Sequence, residues 1–161
     1  MLELFNSYRA EAQHISSVLL ALAIWRWGAG PERWMIGIFI AAMVMPVYLF
    51  DALGIDLRAI GSGANVYVLI DVLAGTGFAL VALKANRNYP LFVAGFQMVA
   101  IATHGVEALI GSISPIAYLI MVVGPSYCQL LLIFFGFARH QFRERQFGPY
   151  REWRVPLPGA G

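Results

Sequence analysis

The sequence has little charge: only 12% of its 161 residues are Asp, Glu, Lys or Arg, whereas 60% are hydrophobic. A soluble domain carries about 25% charged residues, so this composition argues against a fold that exposes its surface to water. The mean hydropathy of +0.70 agrees. The one cysteine, Cys128, excludes an intrachain disulfide, and we interpret it as a packing residue. The excess apolar surface must therefore contact lipid.

Long apolar segments, by contrast, occur five times. A helix that crosses the hydrocarbon core needs about 20 mostly apolar residues, and the connections between the segments carry Gly, Pro, Asn and charge, as turns do. The sequence therefore predicts an all-α polytopic bundle with five transmembrane helices in a single domain, at about 10–27, 34–53, 65–83, 90–111 and 115–138. The first span is the shortest and starts with polar residues, and the stretch before it suggests a short interfacial helix. Residues 1–29 lack the basic leader and cleavage site of a signal peptide.

The distribution of basic residues predicts an orientation. Lys and Arg concentrate on the cytoplasmic side of membrane proteins, and with five spans the two ends of the chain lie on opposite sides. Placing the carboxyl end inside puts nine of the eleven basic residues there: Arg26, Arg33, Lys84, Arg87, Arg139, Arg143, Arg145, Arg151 and Arg154. The sequence thus predicts an N-out, C-in topology, with Trp25, Trp27 and Trp34 at the inner interface.

A basic and aromatic tail follows the last span. Residues 139–154 read RHQFRERQFGPYREWR, which we interpret as an extension of the last helix to Gly148 followed by a segment lying on lipid headgroups. Each arginine near an anionic surface contributes about 1 kcal/mol. Anchoring beside a span explains this pattern more simply than a nucleic-acid site. The predicted headgroup contacts are Arg139, Arg143, Arg145, Arg151 and Arg154.

Ionisable residues inside the predicted spans gather toward the outer leaflet. His104 and Glu107 lie in the outer half of the fourth span, Asp71 in that of the third, and His14 near the outer end of the first. Asp51 and Asp56 sit at the boundary as solvated carboxylates. Because a charge at the bilayer centre costs about 2.5–3.5 kcal/mol, we expect His104 and Glu107 to face the packed interior. Gly75 follows Asp71 on a face of small residues, which predicts close helix packing.

Four interpretations of these polar residues stay open. They could hydrogen-bond across helices and only fix the packing. His104 and His14 could bind a cofactor, as ligands of a haem or of a pigment's metal. Asp71, His104 and Glu107 could form a metal site, since imidazole and carboxylate suit Zn or Fe. The same three residues could relay protons or ions, although an outer cluster without an inner counterpart forms only half of a pathway.

Two prolines lie inside predicted spans, Pro46 and Pro125. Each lacks the N–H that would bond to the preceding turn, so we expect a kink at each, with the freed carbonyl groups bonded by neighbouring groups. We interpret both as shape features. The sequence contains no nucleophile elbow, phosphate loop or cysteine-rich metal motif, and so offers no positive case for an enzyme.

The second half of the chain resembles a known group of proteins. Its motifs are ANRNYPL, the mid-span His104 and PSYCQ. In these it resembles a group of short, multi-span inner-membrane proteins of α-proteobacteria, a group with no established activity. The resemblance implies a bacterial inner membrane and no site residue.

Together these features predict a small inner-membrane protein that works with other chains or with further copies of itself. The first functional hypothesis is an accessory or structural subunit of a larger assembly, for example a redox or photosynthetic complex. The second is a small haem-, pigment- or metal-binding protein that uses His104. The third is an oligomeric channel or transporter protomer, with Asp71, His104 and Glu107 along the pathway.

Overall fold

A computed structural model describes residues 2–55, 63–110 and 114–154. Its regular elements are α1 (Leu2–Trp27), α2 (Gly30–Phe39), a π-helical turn (Ile40–Val44), α3 (Met45–Ala52), α4 (Gly63–Lys84), α5 (Tyr89–Ile110) and α6 (Pro115–Phe147). The α2 helix, the π turn and α3 are continuous, so these elements form five helices. Four of them, namely Gly30–Ala52, Asn65–Lys84, Tyr89–Ile110 and Ile120–Phe147, are long and apolar enough to cross a membrane.

The predicted all-helical bundle is therefore confirmed, with four helices long and apolar enough to cross a membrane, whereas the count of five spans and the orientation stay predictions. The first predicted span lies within α1, which is not among the four. The helix α1 runs unbroken from Leu2 to Trp27. The prediction of a separate interfacial helix before the first span is therefore wrong, because the polar residues of that region continue the same helix.

Contacts between side chains show how the helices run relative to one another. Gln13 Nε2 of α1 donates to Ser126 Oγ of α6 at 2.8 Å, and Gln141 of α6 donates to the Trp27 carbonyl. Contacts from the middle and from the end of α1 thus advance together along α6, so these two helices are parallel. Between the two contacts α1 rises by about 21 Å.

The hydrophobic core lies where α2, α4, α5 and α6 meet. Met35, Ile36 and Phe39 of α2 pack with Phe78 of α4, in a cluster that also includes Ile24, Val93 and Ile133. These large side chains are fully buried, whereas most other apolar side chains of the four long helices face outward. An apolar exterior around a small core is what a bundle in lipid requires.

Glycines allow the two central helix pairs to approach closely. A Cβ atom at Gly75 would lie 2.8 Å from Met98 Cε of α5, which confirms that this face of α4 packs against a neighbour. A Cβ atom at Gly136 of α6 would lie 2.7 Å from the ring of Tyr89. The aromatic ring therefore rests directly on the backbone of α6, as small residues permit in membrane helices.

The second long helix is irregular at Pro46. The Met45 N–H bonds to the carbonyl of Ile40, five residues earlier, and this wider turn accommodates a proline that lacks an N–H and crowds the preceding turn. The structure thus shows a π-helical turn before Pro46, while the kink expected there stays a prediction. Helix α6 continues through Pro125, and Ser126 Oγ donates to the Val123 carbonyl at 2.7 Å; the kink expected at Pro125 stays a prediction.

The chain after α6 folds back onto the two loops at its end of the bundle. Helix α6 ends at Phe147, as expected, and Gly148 has a φ of 78°, a backbone region that favours glycine. Glu152 then accepts a hydrogen bond from Gly30 N at 2.9 Å through its carboxylate, and from Asn86 N at 3.0 Å through its carbonyl. The tail thus binds protein loops, while the contacts of its arginines with headgroups stay a prediction.

The docked tail lies against the helix ends and loops that, together with it, carry nine of the eleven basic residues. We call this end of the molecule the basic end of the bundle. Arg154 N donates to the Lys84 carbonyl at 2.8 Å, so the end of α4 and the carboxyl tail lie together. The side chains of Trp25, Trp27 and Trp34 are exposed near the same end, where indoles are favoured if this end lies at a membrane interface.

A buried ion pair anchors the loop between α4 and α5 at the basic end. The Arg87 guanidinium pairs with the Glu32 carboxylate in the first turn of α2, and both side chains are almost entirely buried. Burial lowers the pKa of Arg87, yet an arginine remains charged at neutral pH. The Glu32 carboxylate therefore compensates a cation that the loop would otherwise bury alone.

Removing the Glu32 carboxylate is expected to destabilise the fold. Glu32→Ala leaves a buried cation without its partner, which costs about 3–5 kcal/mol. The matched control is Arg33→Ala, because Arg33 is the exposed neighbour. The free energy of unfolding in mixed detergent micelles measures both. An equal, small effect of the two substitutions would contradict the importance of the pair.

Candidate functional site

A chain of buried polar side chains links α4, α5 and α6. The Asp71 carboxylate of α4 binds two side chains of α5, with Oδ1 accepting from Gln97 Nε2 at 2.8 Å and Oδ2 lying 2.9 Å from His104 Nε2. The side chains of Asp71 and His104 are 12% and 9% exposed. Both oxygens of the carboxylate are therefore engaged within the bundle.

The chain extends from Gln97 to α6. Gln129 Nε2 donates to Gln97 Oε1 at 2.8 Å and to the Val93 carbonyl at 3.2 Å, and both glutamine side chains are fully buried. One amide thus connects an acid on α4 with a second amide on α6. The four side chains of Asp71, Gln97, His104 and Gln129 form what we call the polar network.

Helical periodicity explains why Gln97 and His104 both reach Asp71. They are seven residues apart, close to two turns, and therefore lie on the same face of α5. Asp71 is one turn before Gly75, where a Cβ atom would lie 3.3 Å from Gln97 Cγ of α5. The small residue brings the helix backbones together, and the polar side chains one turn away then come within hydrogen-bonding distance.

The network can bind a proton and hold its members in fixed positions. A neutral imidazole with hydrogen on Nε2 donates to the Asp71 carboxylate, and a protonated imidazole forms an ion pair with it. Gln97 donates to the same carboxylate in either state. The arrangement therefore suits proton binding or interhelical fastening.

Glu107 does not join this network. Its side chain is exposed in the last turns of α5, so the prediction that it faces the packed interior with His104 is wrong. Three residues along the helix place the side chain about 60° around the axis from that of His104, and this rotation takes it out of the seam between α4 and α5. Among the described residues there is no group of three His, Cys, Asp or Glu side chains suited to a metal ion.

The other predicted site residues lie apart from the network in their contacts. His14 of α1 is 3.3 Å from the Tyr48 hydroxyl of α3, with their rings edge to face at 5.5 Å. The structure thus gives the two candidate haem ligands, His14 and His104, different partners on different helices. Asp51 is exposed at the end of α3, and Asp56 lies outside the described residues.

Two members of the network are amides that sequence reasoning did not select as site residues. Neither Gln97 nor Gln129 carries a charge, and Gln129 lies in an apolar stretch with no charged neighbour to draw attention to it. A search for every hydrogen-bonding side chain within the spans would have found both, because an amide buried in lipid also needs a partner. The same rule applies to Gln13, which bonds to Ser126.

Replacing Asp71 is expected to loosen the three helices. Asp71→Leu removes the carboxylate that binds Gln97 and His104, and leaves the Gln97 amide only the backbone carbonyl of residue 71, now 3.2 Å away, on that side. The loss of these side-chain hydrogen bonds costs about 1–3 kcal/mol in the free energy of unfolding. The control is Thr76→Val, because exposed Thr76 bonds to the Val72 carbonyl of its own helix at 2.8 Å and, among the described residues, to no other helix. Unfolding by SDS in mixed micelles measures both variants. Equal stability of the two would show that the network does not fasten the helices.

The geometry above is the basis for assigning a function. Comparison with known protein families, with curated proteins and with solved structures finds no match in any of the three. The residues of the polar network and of the basic end are therefore interpreted from their own chemistry.

Proposed function

We propose that the protein is a five-span integral protein of a bacterial inner membrane that acts as a non-catalytic structural subunit of a larger membrane assembly, of the redox or photosynthetic type. The observation that carries this proposal is the polar network. Its hydrogen bonds run from α4 to α5 and from α5 to α6, and they use both oxygens of Asp71. Such a network holds three helices in one arrangement, which suits a part that offers a fixed surface to other chains.

The direction of α1 supports the fifth span. This helix follows α6 in parallel from the Gln13–Ser126 contact to the Trp27–Gln141 contact. It therefore covers much of the depth that the apolar span Ile120–Phe147 covers. With α1 as a span, Tyr8 and the carboxyl tail lie on opposite sides, and the positive-inside rule assigns the basic end to the cytoplasm.

An exposed face of α5 agrees with a role in assembly. This face carries three exposed small residues. Ala102 lies about two turns after Gly95, and Gly105 about three turns after it. A Cβ atom added at either glycine would have no atom of another residue within 4 Å, apart from its chain neighbours and the backbone of its own helix. Small residues let a neighbouring membrane helix approach closely, so this face suits a helix of a partner chain.

A second candidate is the oligomeric channel or transporter protomer. It is favoured by buried polar groups at several levels of the bundle: His104 and Gln97 bind Asp71 between α4 and α5, Gln129 binds Gln97 from α6, and the Tyr89 hydroxyl is buried at the start of α5. Tyr89 lies beside Arg87 at the basic end, which supplies polar groups in the inner half that the ionisable residues alone did not predict. Glu107 is exposed on the single chain, so it would line this pathway only where a second copy packs against α5.

The cofactor alternative has less support from the geometry. His104 Nε2 already lies 2.9 Å from Asp71 Oδ2, and ligation of a haem, pigment or metal through that nitrogen would require this contact to break. His14 has Tyr48 as its partner. The structural subunit therefore remains the function that the contacts favour most.

Cysteine labelling tests the topology. In a Cys128→Ser background, Tyr8→Cys should react with a membrane-impermeant maleimide from the periplasmic side, and Asn88→Cys only after permeabilisation. Both positions are exposed. Ile55→Cys is the matched control on the predicted outer loop and should react as Tyr8→Cys does. Labelling of Tyr8→Cys and Asn88→Cys from the same side would reject α1 as a span.

Assembly is tested by substituting the α5 face in the full-length chain at its native expression level. Leucine at Gly95 and Gly105 should lower the partner-to-protein ratio after mild solubilisation about tenfold, since a close helix contact can no longer form. The matched control is Gly37→Leu, because Gly37 is also exposed with open space around it. Quantitative mass spectrometry of crosslinked membranes gives the ratio.

Two outcomes would overturn the subunit proposal. One is that the wild-type chain, the variant with leucine at Gly95 and Gly105, and the Gly37→Leu control all elute in size-exclusion chromatography at the mass of a single chain without partners. The other is a pure homo-oligomer that carries protons into liposomes and loses this flux in His104→Ala, which would support the channel or transporter candidate instead.

A further inference from the structure

A half-open cavity of about 290 Å³ lies at the basic end, between the start of α5 and the last turns of α6. Three arginines line it: Arg87 from the loop before α5, and Arg139 and Arg143 from α6. Their side chains surround the cavity from two separate elements. None of the residues that line it within the described ranges is Asp or Glu.

The walls also present neutral hydrogen-bond donors. Asn86 and Asn88 of the loop line the cavity, as do Tyr89 and Tyr150. The Tyr89 hydroxyl is buried and has no hydrogen-bond partner among the described residues. A ligand rich in acceptor oxygens would satisfy it, and polar groups that are buried without a partner are uncommon in native structures.

The tail holds the arginines in place around the cavity. The Tyr150 ring stacks under Arg143, with 4.3 Å from the guanidinium carbon to the ring centroid, and contacts Arg87 at 5.2 Å. The Tyr150 hydroxyl is 3.1 Å from His140 Nδ1. Glu32, which does not line the cavity, compensates Arg87, so the positive charge available to a ligand comes mainly from Arg139 and Arg143.

The lower wall is apolar and belongs to the membrane-spanning part of α6. Leu132 and Phe135 line the cavity there, and Phe135 is 62% exposed. Arg139 follows Phe135 by one helical turn. The guanidinium groups thus lie directly above an apolar wall that faces outward. A phosphate with attached hydrocarbon chains requires this arrangement, and basic pockets between spans bind such headgroups.

We infer that the cavity lined by Arg87, Arg139 and Arg143 binds a phosphate group, and that the apolar wall below it favours the phosphate of an anionic phospholipid. Guanidinium groups bind phosphate oxygens through paired N–H donors. The bound lipid would pack its chains along Leu132 and Phe135. This inference is independent of the proposed partner contacts, which involve another face of α5.

The test compares two double variants of the full chain that lose the same charge. Arg139→Gln with Arg143→Gln removes cavity arginines, whereas Arg145→Gln with Arg151→Gln removes exposed arginines that do not line the cavity. Each protein is purified in a neutral detergent, mixed with phosphatidylglycerol and phosphatidylcholine, and analysed by native mass spectrometry. We expect one phosphatidylglycerol bound per chain, and affinity at least about tenfold lower for the cavity pair only.

A second arm separates the lipid from free phosphate. Inorganic phosphate is titrated into lipid-free protein and followed by the change in Tyr and Trp fluorescence. Binding of phosphatidylglycerol alone identifies a lipid headgroup site. Binding of inorganic phosphate with the same dependence on Arg139 and Arg143 identifies a site for the free anion. Both results support a phosphate site.

Asn88→Asp tests the same cavity with a more conservative substitution, in case the arginine variants misfold. It changes one exposed wall residue by a single group and adds a negative charge to the cavity, so it should also weaken phosphatidylglycerol binding about tenfold, with Gln146→Glu as its exposed control. Equal losses in the cavity variants and their controls would show general surface attraction and overturn the inference. Absence of binding by the wild-type chain would overturn it as well.

Discussion

The constraint on which this structure depends is that polar groups inside lipid must find their partners within the protein. The Asp71 carboxylate illustrates it: lipid offers no donor, so the acid is stable only where Gln97 and His104 reach it from α5. That requirement brings α4 and α5 together at Gly75. Gln129 then connects α6 to the same network through Gln97. The positions of three helices therefore follow from the hydrogen-bonding demand of a few side chains.

The basic end meets the same demand by different means. Here Arg87 is buried and must be compensated by Glu32. The carboxyl tail closes over the loop that carries Arg87, with Glu152 bonded to Gly30 and Asn86. The basic end is therefore stabilised by an ion pair and backbone hydrogen bonds, whereas the helices of the bundle are joined by the side-chain hydrogen bonds of Gln97, Gln129 and Asp71. The cavity with its arginines exists because the tail and α6 frame the loop from two sides.

Some of this could be predicted from composition and spacing. The apolar runs are long enough to indicate spans without knowledge of their packing, and the small face at Gly75 correctly indicated close approach. The pairing of Asp71 with His104 was within reach, because both were assigned to the same leaflet. The exposure of Glu107 could not be predicted. Its spacing of three residues from His104 suggests a shared helix face, yet the rotation between them is large enough for Glu107 to leave the seam. Gln129 was missed because an amide carries no charge to mark it.

The sequence alone determined that the chain is helical and suited to lipid, since these properties depend on the hydropathy and length of local segments. It also determined the asymmetric distribution of basic residues, which is a matter of counting. Only the tertiary structure decided which polar side chains meet, that α1 follows α6, and that Arg87, Arg139, Arg143 and Tyr150 surround one cavity. These features depend on the rotation of each helix about its axis and on the path of the tail, and neither is encoded in any single segment.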